Sequence, residues 1–278
     1  MNAFFFLIVA LFIACTPTRS YSNHILFVYR NDIEAYKKIV KLFKQNKKIS
    51  LLECPIDNSC SVDDNNFDFI VALGDSAAKY SHRFKKPLIA FFISDYSLTY
   101  SCPSQKCLYY FLFPNAKQIL SKLSNILPAK SRIAILCSNN SISWINQPLK
   151  GFPFEITVET ISSSEILNNL RKIFRKNYQV ILLAPDLLFL QKKVLREIIK
   201  LSYTSKKLVI GFSPQMLDLG LPMVITYDYK KIYSIIPKVV ENFKKENYIS
   251  FPISILINKK AINFFHIKEF INEKNKIK

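Results

Sequence analysis

Glycine is scarce in this chain: four in 278 residues. Nucleotide-binding α/β enzymes need glycine-rich loops to bring backbone close to a pyrophosphate, so that class is disfavoured from the start. Histidine is nearly as rare, with only His24, His82 and His266. None lies beside a Ser or Cys in a nucleophile setting, and GxSxG, HExxH and GxxxxGK[ST] are all missing. These gaps argue against an enzyme and against a bound metal or other cofactor. Acidic residues are also few, 20 against 39 Lys and Arg, for a net charge of +19. Such a balance invites a nucleic-acid reading. No nucleic-acid motif or Arg-rich stripe supports it, and the lysines are scattered through amphipathic segments. Attraction to an anionic membrane surface uses the charge more economically. No apolar run reaches the roughly 20 residues of a membrane-spanning helix.

What is present begins with an unbroken apolar run, AFFFLIVALFIA, at 3–14. Its length suits the core of a secretion signal. Cys15 follows directly after Ala14, and this resembles a bacterial lipoprotein cleavage site. Phe12 stands where such sites place leucine, and no Lys or Arg precedes the run. Export is therefore expected, with Cys15 lipidated or the signal simply cleaved. Residues 1–20 form the signal or anchor region, and the mature chain lies in the periplasm or on the outer face of the cytoplasmic membrane.

The other cysteines fit an oxidising compartment. Cys54 and Cys60 bracket PIDNS, and Cys102 and Cys107 bracket PSQK. Both pairs sit in stretches that read as loops, which predicts two local disulfides. Neither is a CxxC with a nearby histidine, so metal binding is not expected. Cys137 ends an apolar run and reads as a buried free thiol.

Short apolar strands alternate with amphipathic helices along the chain. Strands are expected at 24–30, 49–55, 67–75 and 87–94, then at 132–138, 154–161, 179–185, 207–213 and 223–229. Helices are expected at 33–45, 76–84 with Ser76 as N-cap, 116–127, 162–177 capped by Ser163 or Ser164, 187–204, and 229–247 kinked at Pro237. A strand and a short helix at 251–267 close the chain. Strands apolar on both faces, set between helices, make a parallel sheet covered on both sides. The series predicts an α/β protein of two Rossmann-like, doubly wound lobes without a Gly/Ser linker.

The stretches 68–81 (DFIVALGDSAAKYS), 87–95 (PLIAFFISD), 123–140 (LSNILPAKSRIAILCSNN) and 180–220 (VILLAPDLLFL through LVIGFSPQMLDLG), with ISILINKKAINFFHI at 253–267, resemble in order and spacing the substrate-binding proteins of ABC transporters. The likeness is to the type I periplasmic-binding-protein fold, in its aromatic-amino-acid-type group. It implies a first lobe of 21–112 plus 228–248 and a second of 113–227 plus 249–278. It also implies a small-molecule ligand, such as an amino acid, held between the lobes, with an ABC permease and ATPase as partners and a lipid anchor in the membrane. The stretch from Cys54 to Asp68 is too short for the helix the family places there. YSLTYSCPSQKCLYYF at 96–111 replaces a Gly-Asn-x-Thr-Gly-like stretch on the ligand side. These departures support an alternative, an envelope lipoprotein that kept the fold as a regulatory or protein-interaction module.

Ligands of open parallel sheets sit at the carboxyl ends of the strands. The candidate binding residues are therefore Tyr29, Asn31, Gly74, Asp75, Ser76, Ser94, Asp95, Asn139, Asp186 and Ser213. Arg30, Tyr96, Asn140, Ser141, Pro185 and Pro214 are further strand-end residues. Each carboxylate or amide could instead cap a helix or close a turn.

Overall fold

The computed structural model describes residues 23–45, 49–57, 60–102, 106–145, 148–243 and 249–265. Cys15 and His266 lie outside the described residues, as do 244–247 at the end of the expected long helix.

The first sheet contains β1 (Asn23–Tyr29), β2 (Ile49–Pro55), β3 (Phe69–Leu73), β4 (Leu88–Ile93) and β5 (Cys107–Phe111), in the order β2-β1-β3-β4-β5. All its pairings are parallel. The second contains β6 (Arg132–Cys137), β7 (Glu155–Thr160), β8 (Val180–Leu183), β9 (Leu208–Gly211), β10 (Met223–Tyr227) and β11 (Ile253–Ile257), in the order β11-β10-β9-β8-β6-β7. Only β11 runs antiparallel to its neighbour. The two-lobed α/β architecture expected from the sequence is present.

Side-chain alternation explains why both sheets are covered on both faces. On the first, Ile25, Phe27, Val71 and Phe91 point one way, against Ile39, Val40 and Phe43 of α1 (Glu34–Lys44). Leu26, Val28, Ile70 and Ala90 point the other way, against Ala77 and Ala78 of α2 (Asp75–Ser81). On the second sheet, Ile133, Ile135 and Leu182 meet Ile119, Leu120 and Leu123 of α3 (Ala116–Leu123). Ala134, Leu136 and Leu183 meet Leu170, Ile173 and Phe174 of α4 (Ile166–Arg175), with Val194, Leu195 and Ile198 of the helix over 192–205. Strands β3, β8, β9 and β10 are buried along their whole length, as central strands must be. β9 ends on Gly211, where a Cβ would lie 2.5 Å from Leu221 and 2.8 Å from Met216 of α7 (Pro214–Asp218). That close approach explains one of the four glycines.

Several local expectations need correcting. The stretch 96–111 is not simply a loop: it holds a 3-10 turn (Tyr96–Ser101) and the edge strand β5. Ser76 does not cap α2; the N-cap position is Gly74, and Ser76 is exposed. Ser163 and Ser164 form a 3-10 turn with Glu165, and no serine side chain caps α4. The expected helix 187–204 is two helices, α5 (Leu187–Leu190) and α6 (Lys192–Ser205), broken at Gln191 in extended conformation. As expected, Pro237 lies inside α8 (Tyr229–Asn242). A short α9 (Ala261–Phe264) follows β11.

Both disulfides form. Cys54–Cys60 spans 5.4 Å between Cα atoms and Cys102–Cys107 spans 6.0 Å. Each ties a strand, β2 or β5, to the adjoining loop. Cys137 is a buried free thiol, and burial pushes its pKa up.

The chain passes between the sheets repeatedly. β5 belongs to the first sheet, and α3, right after it, packs on the second. α8 follows β10 of the second sheet and packs Ile232, Ile236, Val239 and Val240 on the first. β11 is back in the second.

Candidate functional site

The carboxyl ends of both sheets carry the polar residues singled out above, but their side chains have different fates. Gly74 follows β3 with φ +87°, and a Cβ there would lie 2.6 Å from the Tyr36 hydroxyl. A backbone this shape favours glycine, and it turns the chain directly into α2. Asp75 is then placed beside the end of β4. Its Oδ1 accepts the amides of Ser94 (2.9 Å) and Asp95 (3.1 Å), and its Oδ2 accepts the Ser94 hydroxyl. Asp95 in turn caps the 3-10 turn through the Ser97 amide (3.1 Å) and pairs with Lys79 at 3.0 Å. The Ser97 hydroxyl, with Lys79, holds the Asp95 carboxyl below its ordinary range against the opposing effect of burial.

The second lobe repeats the device. Asp186 follows β8, and its Oδ1 accepts the Leu188 amide at 2.8 Å, capping α5. Its Oδ2 accepts the hydroxyl of Ser138, which follows the neighbouring strand β6. Ser138 also accepts the Asn140 amide (3.1 Å), and the Ser141 hydroxyl accepts the Ser138 amide (3.0 Å). Each lobe thus has one Ser–Asp latch joining the ends of two adjacent strands.

A cavity of about 460 Å³ opens between the strand ends. Ser94 and Leu112 line it from the first lobe, with Phe113 on the crossing segment. Asn140, Ser141, Pro185, Asp186, Leu187, Leu190 and Phe212 line it from the second. Of the ten candidate residues, the structure brings Ser94 and Asp186 together here. Tyr29 is buried, and its hydroxyl donates to Glu53 at 2.8 Å; burial and that carboxylate push its pKa up to about 12. Asn31 is exposed, with its amide bonded to Asp57 at 2.6 Å. Gly74, Asp75, Ser76 and Asp95 serve the turns just described or lie outside the cavity lining, as does the exposed Asn139. Ser213 is buried, its hydroxyl directed to Gln215.

The apolar wall was missed when the sequence was read for polar strand ends. Phe212 follows β9 directly, so the strand-end rule could have found it. Leu187 is 80% exposed although large and apolar, a signal visible only in three dimensions. Phe113 meets Phe212 edge-on, with ring centroids 5.2 Å apart. Among the described residues that line the cavity there is no Lys, Arg or His, and Asp186 is the one carboxylate. Among the described residues no cluster of His, Cys, Asp or Glu could hold a metal ion.

The crossing segment beside the cavity is held by aromatic donors. Tyr229 donates its hydroxyl to the Leu112 carbonyl (2.7 Å), Tyr96 to the Phe113 carbonyl (3.0 Å), and the Trp144 indole to the Pro114 carbonyl (2.9 Å). Three successive carbonyls of this segment are thereby satisfied by side-chain donors. Tyr96 also stacks on Phe111, with centroids 4.0 Å apart, and burial raises its pKa well above the ordinary phenol value.

No protein-family model matches the sequence, and no curated protein matches it. Solved structures do match. A ligand-free, open substrate-binding protein with adhesive properties from Clostridium difficile aligns with TM-score 0.61 at 12% identity, over 91% of this chain and 97% of that one. An ABC domain in complex with L-Trp from Streptococcus pneumonia aligns with TM-score 0.51 at 13% identity, over 88% and 95%. A conserved domain protein from Vibrio cholerae aligns with TM-score 0.51 at 13% identity, over 91% and 96%. At these identities the likeness is one of fold. The chain has the two-lobed type I periplasmic-binding-protein fold.

Proposed function

We propose that this protein is the extracytoplasmic solute-binding component of an ABC importer, taking a small organic solute between its lobes and delivering it to a permease and ATPase. The observation that carries this reading is the cavity of about 460 Å³ between the carboxyl ends of two parallel sheets. It has an apolar wall (Leu112, Phe113, Leu187, Leu190, Phe212) and a few convergent polar groups (Ser94, Asn140, Ser141, Asp186), the usual make-up of a small-molecule site. The fold shared with a substrate-binding protein and with an L-Trp complex supports it. The packing of α8 and the pairing of β11 support lobes of 21–112 plus 228–248 and 113–227 plus 249–278. The apolar run before Cys15 supports export and a lipid anchor.

The charge of the lining narrows the ligand. An anion would face Asp186 and find no cation among the lining residues to offset it. A neutral or cationic solute with an apolar body, an amino acid with a large side chain included, fits better. The test is a thermal-shift screen after stripping ligand by unfolding and refolding. Apolar, aromatic and cationic amino acids and amines should raise the melting temperature by mass action, while dicarboxylates should not. A flat response across both groups would remove the solute-binding reading and favour the interaction module instead.

A further inference from the structure

The excess positive charge is unevenly divided. Residues 23–112 carry 12 Lys and Arg against 9 Asp and Glu, whereas residues 113–227 carry 15 against 6. Much of that excess is gathered on one layer. α4 and α6 lie on the same face of the second sheet and bury their apolar sides in it. Their outward sides expose Lys172, Arg175, Lys192, Lys193, Arg196 and Lys200. A shallow groove of about 420 Å³ runs between the two helices, lined in part by Arg171, Arg175 and Lys200. Glu197 is the one acid on either helix, and it is already paired with Arg171 at 2.8 Å. The flanking Lys176 pairs with Glu159 at 2.6 Å. Among the described residues, the other cations of this layer have no carboxylate partner.

What the face lacks helps to choose its partner. No large apolar or aromatic side chain of α4 or α6 is strongly exposed, so the face has no anchor for a protein hot spot. Nor does it offer an aromatic platform on which bases would stack. Flexible lysines on a broad face, without an apolar anchor, suit a dense and laterally mobile layer of negative charge. We infer that the α4–α6 face of the second lobe docks on an anionic lipid bilayer, so that the anchored protein lies with this face on the membrane. Each Lys or Arg brought near such a surface strengthens attraction roughly fivefold, and salt screens the effect over about 10 Å at 0.1 M.

The full chain is mixed with vesicles of phosphatidylcholine alone, or containing phosphatidylglycerol, and bound protein is measured by sedimentation across a salt series. Hydrogen exchange of the α4 and α6 amides is followed on the same vesicles. The wild type should bind the phosphatidylglycerol vesicles more tightly, lose the difference at high salt, and slow exchange in α4 and α6 on the anionic surface only. Reversing four charges together (Lys192→Glu, Lys193→Glu, Arg196→Glu, Lys200→Glu) should reduce the phosphatidylglycerol-dependent binding by at least about 50-fold. Reversing Lys37→Glu, Lys38→Glu and Lys41→Glu on the first lobe should leave it largely intact. All seven side chains are exposed, so both variants should keep the wild-type melting temperature. The inference is overturned if neither binding nor exchange distinguishes the two lipids, or if the two variants lose binding equally. It is also overturned if the face ignores phosphatidylglycerol yet captures an acidic protein.

Discussion

The two lobes share an architecture but are secured differently. The first closes its loops covalently: Cys54–Cys60 holds the loop carrying Asp57 to Asn31, and Cys102–Cys107 holds the turn that leads into β5. The second has no disulfide among its described residues. Its cysteine, Cys137, is a buried thiol, and three adjacent strands, β8, β9 and β10, are wholly buried. The first sheet likewise buries its central strand β3 along its whole length, and the outer strands of both sheets, β2 and β5 in the first and β7 and β11 in the second, are only partly covered. The contrast teaches that the staples follow the irregular chain beside β2 and β5 rather than any difference in how far the strands are buried. Charge is also divided unevenly, with 12 Lys and Arg against 9 Asp and Glu over residues 23–112 and 15 against 6 over residues 113–227.

Removing both disulfides should have the largest effect and test that contrast directly. The chain-entropy model assigns about 2 kcal/mol to each short loop, or about 4 kcal/mol together. Reduction, or Cys→Ser at all four positions, should lower the melting temperature. Hydrogen exchange should speed up in β2, β5 and the 3-10 turn while β8 and β9 stay protected. Equal loss of protection in both lobes would show that the second also depends on the staples.

The Ser–Asp latches offer a sharper comparison, because they match in form and differ in place. Asp75 is absent from the cavity lining, whereas Asp186 lines it. Asp75→Ala removes an acceptor for two amides and a hydroxyl, and should cost about 2 kcal/mol of stability with ligand affinity unchanged. Asp186→Ala loses a helix cap, about 1 kcal/mol. It should also weaken binding of a cationic ligand by roughly tenfold or more. Calorimetry beside a melting curve for each variant separates the two. Equal losses of affinity would place both latches in the site; unchanged affinity in both would assign both to the scaffold.

The smallest effect concerns the crossing segment, where each lobe contributes a donor. Tyr96→Phe frees the Phe113 carbonyl and Trp144→Phe frees that of Pro114. Each should lower stability by about 1 kcal/mol, the usual net worth of one hydrogen bond, with the Trp144 variant adding some loss of packing. A much larger loss for Tyr96 alone would mean that the first lobe, not the second, governs the crossing.

Much of the fold was legible because its signals are local. Alternating side chains within strands of four to seven residues, and helical spacing in 34–44 and 192–205, follow from backbone geometry alone. The disulfide pairs were readable because separations of 6 and 5 residues keep each pair close whatever the rest of the chain does. β5 was not readable, because CLYYF follows a cysteine-bracketed turn and becomes a strand only by pairing with β4.

The site was legible only as a set of positions. That polar groups would gather at strand ends follows from the α/β order of the elements. Which of them face the cavity does not, because the competitor for each side chain lies far along the chain. Glu53 takes the Tyr29 hydroxyl, 24 residues away, and Ser94 takes Asp75 from 19 residues away. Asp186 is bound to Ser138, 48 residues back, and still reaches the cavity. The sequence by itself determined most of the strands and helices, the local disulfides and the sign of the charge, all of which depend on neighbours in the chain. Only the tertiary structure decided which carboxylate braces a turn and which meets the cleft, since a hydrogen bond is awarded to whichever partner folding brings within about 3 Å.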